Sequence, residues 1–169
     1  TLSLHDALPI SGLSLGIETL AIRKCMGFKG ALLVFSTCGL DRCYPSENNF
    51  IFNKVKMHYG ILSLYPCHTP TFKSHFSETN FFMTLWSNEV ILVEASEKSG
   101  AYKSAKSVKL LDRDLRVVYD GRCSNRNAGN MILLDNKIGF AYNVKLPESL
   151  ERLMQHPLDR KSTRLNSSH

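Results

Sequence analysis

Five polar residues, Tyr102, Lys103, Arg122, Asn125 and Arg126, are the part of this sequence best suited to holding a ligand. An arginine guanidinium is a planar fork that pairs bidentately with carboxylate, sulfate or phosphate, and lysine, amide and phenol groups add single hydrogen bonds beside it. The set therefore reads as a site for an anionic small molecule or glycan. These residues fall in the stretches 95–106 and 121–129, two long connections between apolar runs that also carry Glu97, Lys98, Lys106 and Asn127. Long connections on a rigid scaffold are where binding residues concentrate. The plain alternative is an ordinary solvated basic face.

Catalytic chemistry is harder to place. Glycoside hydrolysis needs a pair of carboxyl groups, and Glu94, Glu97, Asp112, Asp114, Asp120 and Asp135 are available. Asp112, Asp114 and Asp135 read as turn formers, Asp120 precedes Gly121, and Glu94 ends an apolar run where it would reach solvent. His58, His68 and His75 form no H-x-x-x-H or H-E-x-x-H arrangement. The five cysteines, Cys25, Cys38, Cys43, Cys67 and Cys123, form no C-x-x-C pair. Cys38 and Cys43 are close enough for a local disulfide, and Cys67 beside His68 offers two potential metal ligands, although a buried or incidental thiol is the commoner fate. There is no Gly-rich phosphate loop, nucleophile elbow or dinucleotide fingerprint. No catalytic residue, metal site or cofactor is therefore assigned.

The elements that would position the polar cluster come from a repeat. The segments Met83–Val93, Val108–Val118 and Met131–Ala141 each read as an apolar run, a short polar turn and a second apolar run, and they start 25 and then 23 residues apart. That pattern is how a β-hairpin reads. Strands are expected at about 81–86, 90–94, 107–111, 115–120, 130–134 and 138–144, with further strands at 31–35, 50–57 and 61–65. Two hairpins make a four-stranded unit recurring within 40–50 residues, which resembles the blades of β-propeller proteins over about half of the chain. The resemblance is one of spacing, since the Trp-Asp dipeptide of WD repeats and the sialidase-type aspartate box are missing. The expected fold class is all-β, mainly antiparallel, a partial propeller-like repeat with a short C-terminal helix at 147–156. In an up-and-down blade both long connections lie on one face, which would unite the polar cluster.

The ends complete this reading. Residues 1–11 and 159–169 resemble translated oligonucleotide adapters of the kind ligated to DNA for sequencing. The native stretch is then roughly Gly12–Leu158, open at both ends, with 12–25 an untranslated leader before Met26, a β-rich segment at 26–80 and the repeats at 81–146. The stretch 26–38 also fits a short secretory or lipoprotein signal, although its apolar core is brief. A formal charge of +6 is compatible with nucleic acid, glycan or an acidic membrane surface and decides among none of them. Because the loop cluster interleaves only one aromatic residue, Tyr102, with its cations, it argues against nucleic acid as the partner. No apolar run approaches the ~20 residues that a transmembrane helix needs. The functional expectation is a propeller-like binding or scaffold domain of unknown ligand, with a sialidase-like glycan-active enzyme as the alternative.

Overall fold

The computed structural model describes residues 8–28, 30–119 and 124–143. Its strands are parallel and its connections are helical. In chain order the elements are β1 (Ile10–Ser11), α1 (Ile17–Gly27), β2 (Leu33–Ser36), α2 (Asn49–His58), β3 (Gly60–Ser63), α3 (Lys73–Trp86), β4 (Glu89–Leu92), α4 (Gly100–Val108), β5 (Asp114–Tyr119), α5 (Ala128–Asp135) and β6 (Phe140–Asn143). Short 3-10 turns precede α2 and follow α4. The strands form two three-stranded sheets, ordered β1-β2-β3 and β4-β5-β6. Every pairing is parallel, with Leu33 opposite Gly60 in the first sheet and Glu89 opposite Asp114 in the second. These are the strand orders of the two halves of a doubly wound sheet, in which the first and fourth strands are the inner pair.

Burial follows from that topology. A parallel sheet is covered on both faces, so its strands bury consecutive residues rather than alternate ones. Val34, Phe35 and Ser36 of β2 are all buried. Val34 faces Ile22 of α1 and Ile51, Phe52 and Val55 of α2 in one core. Phe35 instead meets Trp86 of α3 edge-on, with ring centroids 5.8 Å apart. The second core gathers Leu92, Leu115 and Val117 from the strands, Tyr102, Ala105 and Val108 from α4, and Leu133 from α5. Tyr102, Ala105 and Val108 recur on one helical face, and Ser99 caps that helix by accepting the Tyr102 N–H at 3.2 Å.

The all-β, propeller-like expectation is therefore corrected to a mixed α/β fold. The repeat at 81–144 is real, but its unit is helix, turn, parallel strand rather than a hairpin. Residues 83–86 end α3, 107–108 end α4, and 130–134 lie within α5. The expected strand at 50–57 is α2. Met131-Ile132-Leu133-Leu134 is an unbroken apolar run, and a run of about one helical turn does not distinguish a buried strand from part of a helix. Asp and Asn do mark the turns. Asp112 and Lys137, both at φ 53, are left-handed positions that stop the chain before β5 and β6. The expected helix at 147–156 lies outside the described residues. No helix among the described residues is long and apolar enough to cross a membrane.

Candidate functional site

Because every strand is parallel, the connections leaving β1 to β5 all open at the carboxyl ends of their strands, where doubly wound folds bind ligands. In the connection after β1, Gly16 turns the chain into α1 at φ +93. Glu18 accepts the Ser14 N–H at 2.7 Å, and its carboxylate lies against Gly12, where an added Cβ would meet Oε2 at 2.7 Å. Asn48, just before α2, donates to the Leu13 carbonyl at 2.7 Å and to Thr19 Oγ1 at 2.9 Å.

The connections after β2 and β3 are fastened to each other. The turn Gly39–Arg42 is closed by Arg42 N–H donating to the Gly39 carbonyl at 3.0 Å. Gly39 has no space for a side chain, since a Cβ would lie 2.5 Å from the Pro66 carbonyl oxygen. Asp41 accepts the His68 main-chain N–H at 2.8 Å and pairs with its Nδ1 at 2.9 Å. That main-chain N–H, more than any neighbouring charge, holds the Asp41 carboxyl below its usual pKa. Ser63 Oγ donates to the Cys38 carbonyl at 2.7 Å. Below this seam His75 is buried, its Nδ1 2.8 Å from the Thr37 carbonyl, and Tyr65 stacks on its ring at 3.7 Å. Tyr65 donates to Glu78 at 2.8 Å, and burial followed by that bond pushes its pKa up to about 12.

The outer surface of the seam is aromatic and basic. Tyr44 and Phe72 are 48% and 55% exposed, although each has a ring partner: Phe76 at 6.0 Å for Tyr44 and His75 at 5.1 Å for Phe72. Arg42, on the connection after β2, and Lys73, the first residue of α3 next to Phe72, are exposed cations.

In the second half one buried side chain does the fastening. Asn130 accepts the Ala95 N–H at 2.9 Å and donates to the Val93 and Val118 carbonyls, both at 3.0 Å. It thereby ties the ends of β4 and β5 to α5. Gly129 N–H adds a bond to the Ala95 carbonyl at 2.9 Å.

The sequence-derived cluster divides here. Tyr102 and Lys103 line a depression of about 530 Å³ together with Glu97, Lys98 and Lys106. Tyr102 is buried in the second core, with Lys106 Nζ 4.6 Å from its ring centroid, so it forms a wall and not a free ligand. Asn125 and Arg126 are exposed in the connection after β5, where Arg126 N–H donates to Ser124 Oγ at 3.3 Å. Arg122 lies outside the described residues. Among the described residues no group of three His, Cys, Asp or Glu side chains could hold a metal ion. Sequence reasoning misses Asn48, Asn130 and the Tyr44–Phe72 surface. The polar stretch Gly39–Asn49 is legible as a loop, but nothing in it announces that Asn48 is buried.

Residues 1–153 match the DNA recombination-mediator protein A family. The chain is 32% identical over 106 residues to protein Smf of Synechocystis, covering 63% of this chain and 27% of that protein. It is 31% identical over 96 residues to the DNA processing protein DprA of Bacillus subtilis, covering 57% of this chain and 32% of that one. Among solved structures it resembles DprA of Streptococcus pneumoniae, with a TM-score of 0.75, 22% identity and coverage of 88% and 52%. DprA of Helicobacter pylori, described for its single-stranded DNA binding mode, gives a TM-score of 0.74 at 24% identity, covering 89% and 67%. The chain thus spans no more than about a third of the curated relatives' length.

These matches correct four expectations. Resemblance to propeller blades gives way to a specific α/β family, and with it falls the reading as a propeller scaffold or glycan-active enzyme. The argument against nucleic acid from the sparse aromatics near Tyr102 falls too, since the matching family is named for DNA recombination. The adapter reading of the chain fails as well: the match begins at residue 1, and Ile10–Ser11 form β1. Residues 159–169 lie outside both the match and the described residues. With its match running from residue 1 to residue 153, the chain belongs to the DNA recombination-mediator protein A family.

Proposed function

We propose that this chain is the single-stranded-DNA-binding part of a DNA processing protein, with the strand lying across the carboxyl ends of its parallel strands. The observation that carries the reading is the pair of exposed aromatics, Tyr44 and Phe72, flanked by Arg42 and Lys73 on two connections that Asp41 and Gly39 lock together. Single strands are held by aromatic faces on which bases stack and by cations that track the phosphates. Stacking is tolerant of sequence, as suits a mediator that handles any DNA. Lys98, Lys103, Lys106 and Arg126 extend the basic surface along the second half, and the anion expected there becomes a phosphodiester rather than a sugar acid. The role is binding, and no reacting group is assigned.

Fluorescence anisotropy with a labelled oligothymidylate, titrated at several salt concentrations, tests this. The expected result is salt-dependent binding that prefers the single strand over a duplex of equal length. Tyr44→Ala or Phe72→Ala loses about 1–3 kcal/mol per base no longer stacked, with the salt slope unchanged. Arg42→Ala or Lys73→Ala instead lowers the slope by roughly 0.7 for each phosphate no longer neutralised. Absence of binding at low salt, or variants indistinguishable from the parent, overturns the reading.

A further inference from the structure

Two cysteines flank the turn that carries the proposed DNA surface. Cys38 precedes Gly39 and Cys43 follows Arg42, and the turn between them is closed by the Arg42–Gly39 main-chain bond at 3.0 Å. The four-residue turn brings Gly39 and Arg42 within about 7 Å, which folds the chain back between its two flanking cysteines. The sulfur positions agree. Cys38 Sγ lies 3.5 Å from the Arg42 carbonyl oxygen, against the peptide group that joins Arg42 to Cys43. Cys43 Sγ rests 3.3 Å from the Pro45 carbonyl oxygen. Cys38 is 1% exposed and Cys43 is half-buried, so an oxidant reaches Cys43 first. Both are free thiols in this structure.

We propose that Cys38 and Cys43 form an intramolecular disulfide under peroxide stress, stapling the Gly39–Arg42 turn. The Cys43 thiolate attacks one peroxide oxygen, forming a sulfenic acid and releasing hydroxide. The Cys38 thiolate then attacks the Cys43 sulfur, the S–O bond breaks and water leaves once the oxygen takes a proton. Two thiols and one hydrogen peroxide give one disulfide and two waters. Burial, and secondarily the neighbouring Cys38, pushes the Cys43 thiol pKa up, so the first step accelerates as pH rises through the alkaline range. To form the bond Cys43 Sγ must leave the Pro45 carbonyl and turn toward Cys38, and the staple then holds the turn that bears Arg42, next to Tyr44, in one conformation. Resting on the DNA-binding reading, this makes the affinity for single strands depend on redox state.

The test treats the full chain with hydrogen peroxide and maps its cysteines by peptide mass spectrometry, alongside anisotropy on reduced and oxidised samples. The expected result is loss of two hydrogens per chain, a Cys38–Cys43 crosslink, Cys25 and Cys67 left unlinked, and several-fold weaker oligothymidylate binding reversed by dithiothreitol. Cys43→Ser, at the half-buried position, abolishes both effects while leaving reduced-state binding intact, and Cys38→Ala repeats the result from the buried side. A crosslink through Cys67, a chain-to-chain dimer, or oxidation that stops at sulfinic acid overturns the proposal. A Cys38–Cys43 bond with unchanged affinity overturns its link to DNA. Failure of the reduced protein to bind at all counts against the DNA reading and leaves the mapped crosslink standing.

Discussion

The two halves of this molecule solve one problem with unequal means. Each must hold the connections at the carboxyl ends of three parallel strands, and each does so with one buried asparagine. Asn130 uses both ends of its amide, accepting one main-chain N–H and donating to two main-chain carbonyls across β4, β5 and α5. Asn48 donates only, to the Leu13 carbonyl and the Thr19 hydroxyl, linking the first connection to the start of α2. The first half adds a second fastening at the surface, the Asp41–His68 pair. The second half is pinned from within, whereas the first is pinned partly from outside, where a ligand or a change of pH can reach it.

That contrast can be broken at its strongest point first. Asn130→Ala leaves one buried and two part-buried main-chain groups without their partner, and the expected loss is about 3 kcal/mol in urea unfolding. Asn48→Ala orphans the Leu13 carbonyl and takes one donor from the Thr19 hydroxyl, which keeps its bond to the Ser14 carbonyl at 2.8 Å, for about 1.5 kcal/mol. Equal losses, or the reverse order, would show that the halves are fastened alike. Glycines sharpen the comparison. A Cβ on Gly129 would sit 2.7 Å from the Ala95 carbonyl oxygen and 2.9 Å from Tyr102 Cδ2, and neither can yield without moving the core. Gly129→Ala should therefore destabilise by about 2 kcal/mol. Gly12→Ala meets the end of the Glu18 side chain, which can swing aside at the cost of its bond to the Ser14 N–H, so its effect should stay at about 1 kcal/mol.

The smallest effect is local and acid-dependent. The Asp41 carboxyl is held below its usual pKa by the His68 N–H, so the bond between them is fully present above the ordinary carboxylate value. It breaks only as pH falls through the lowered one. The His68 amide resonance, followed by NMR, should keep its folded position into that lower range and then move. Asp41→Asn should remove the transition. A midpoint at or above the ordinary aspartate value would contradict the assignment.

Several of these features are legible in the sequence. Polar residues mark the turns before β4, β5 and β6, and the runs at Val90–Leu92 and Leu115–Val118 fall on strands. The helices are not legible, for a physical reason. Residues 100–108 bury only Tyr102, Ala105 and Val108, so few apolar positions that the helix passes for a polar connection. In α5 the apolar residues run consecutively, hiding the helical period. Reading 95–106 as a connection and 130–134 as a strand turns a parallel fold into hairpins and makes the two long connections look like blade loops. Tyr102 stands out in the sequence for its hydroxyl, yet its ring serves the core, while Tyr44 and Phe72 pass as ordinary loop residues. Exposure, which no residue type announces, separates the two cases.

The parallel register also governs how the chain can assemble. Glu89 faces Asp114, and Leu33 faces Gly60, so each strand pair closes only after an intervening helix has been gathered in. A hairpin could zip from its turn, but here every ladder waits for a partner more than twenty residues away in sequence. Loop-closure entropy is spent before any ladder bond forms, which slows folding relative to a protein of local contacts. Because α4 lies between β4 and β5 in sequence, the helix–turn–strand repeat is also the smallest unit that can add one strand to the sheet.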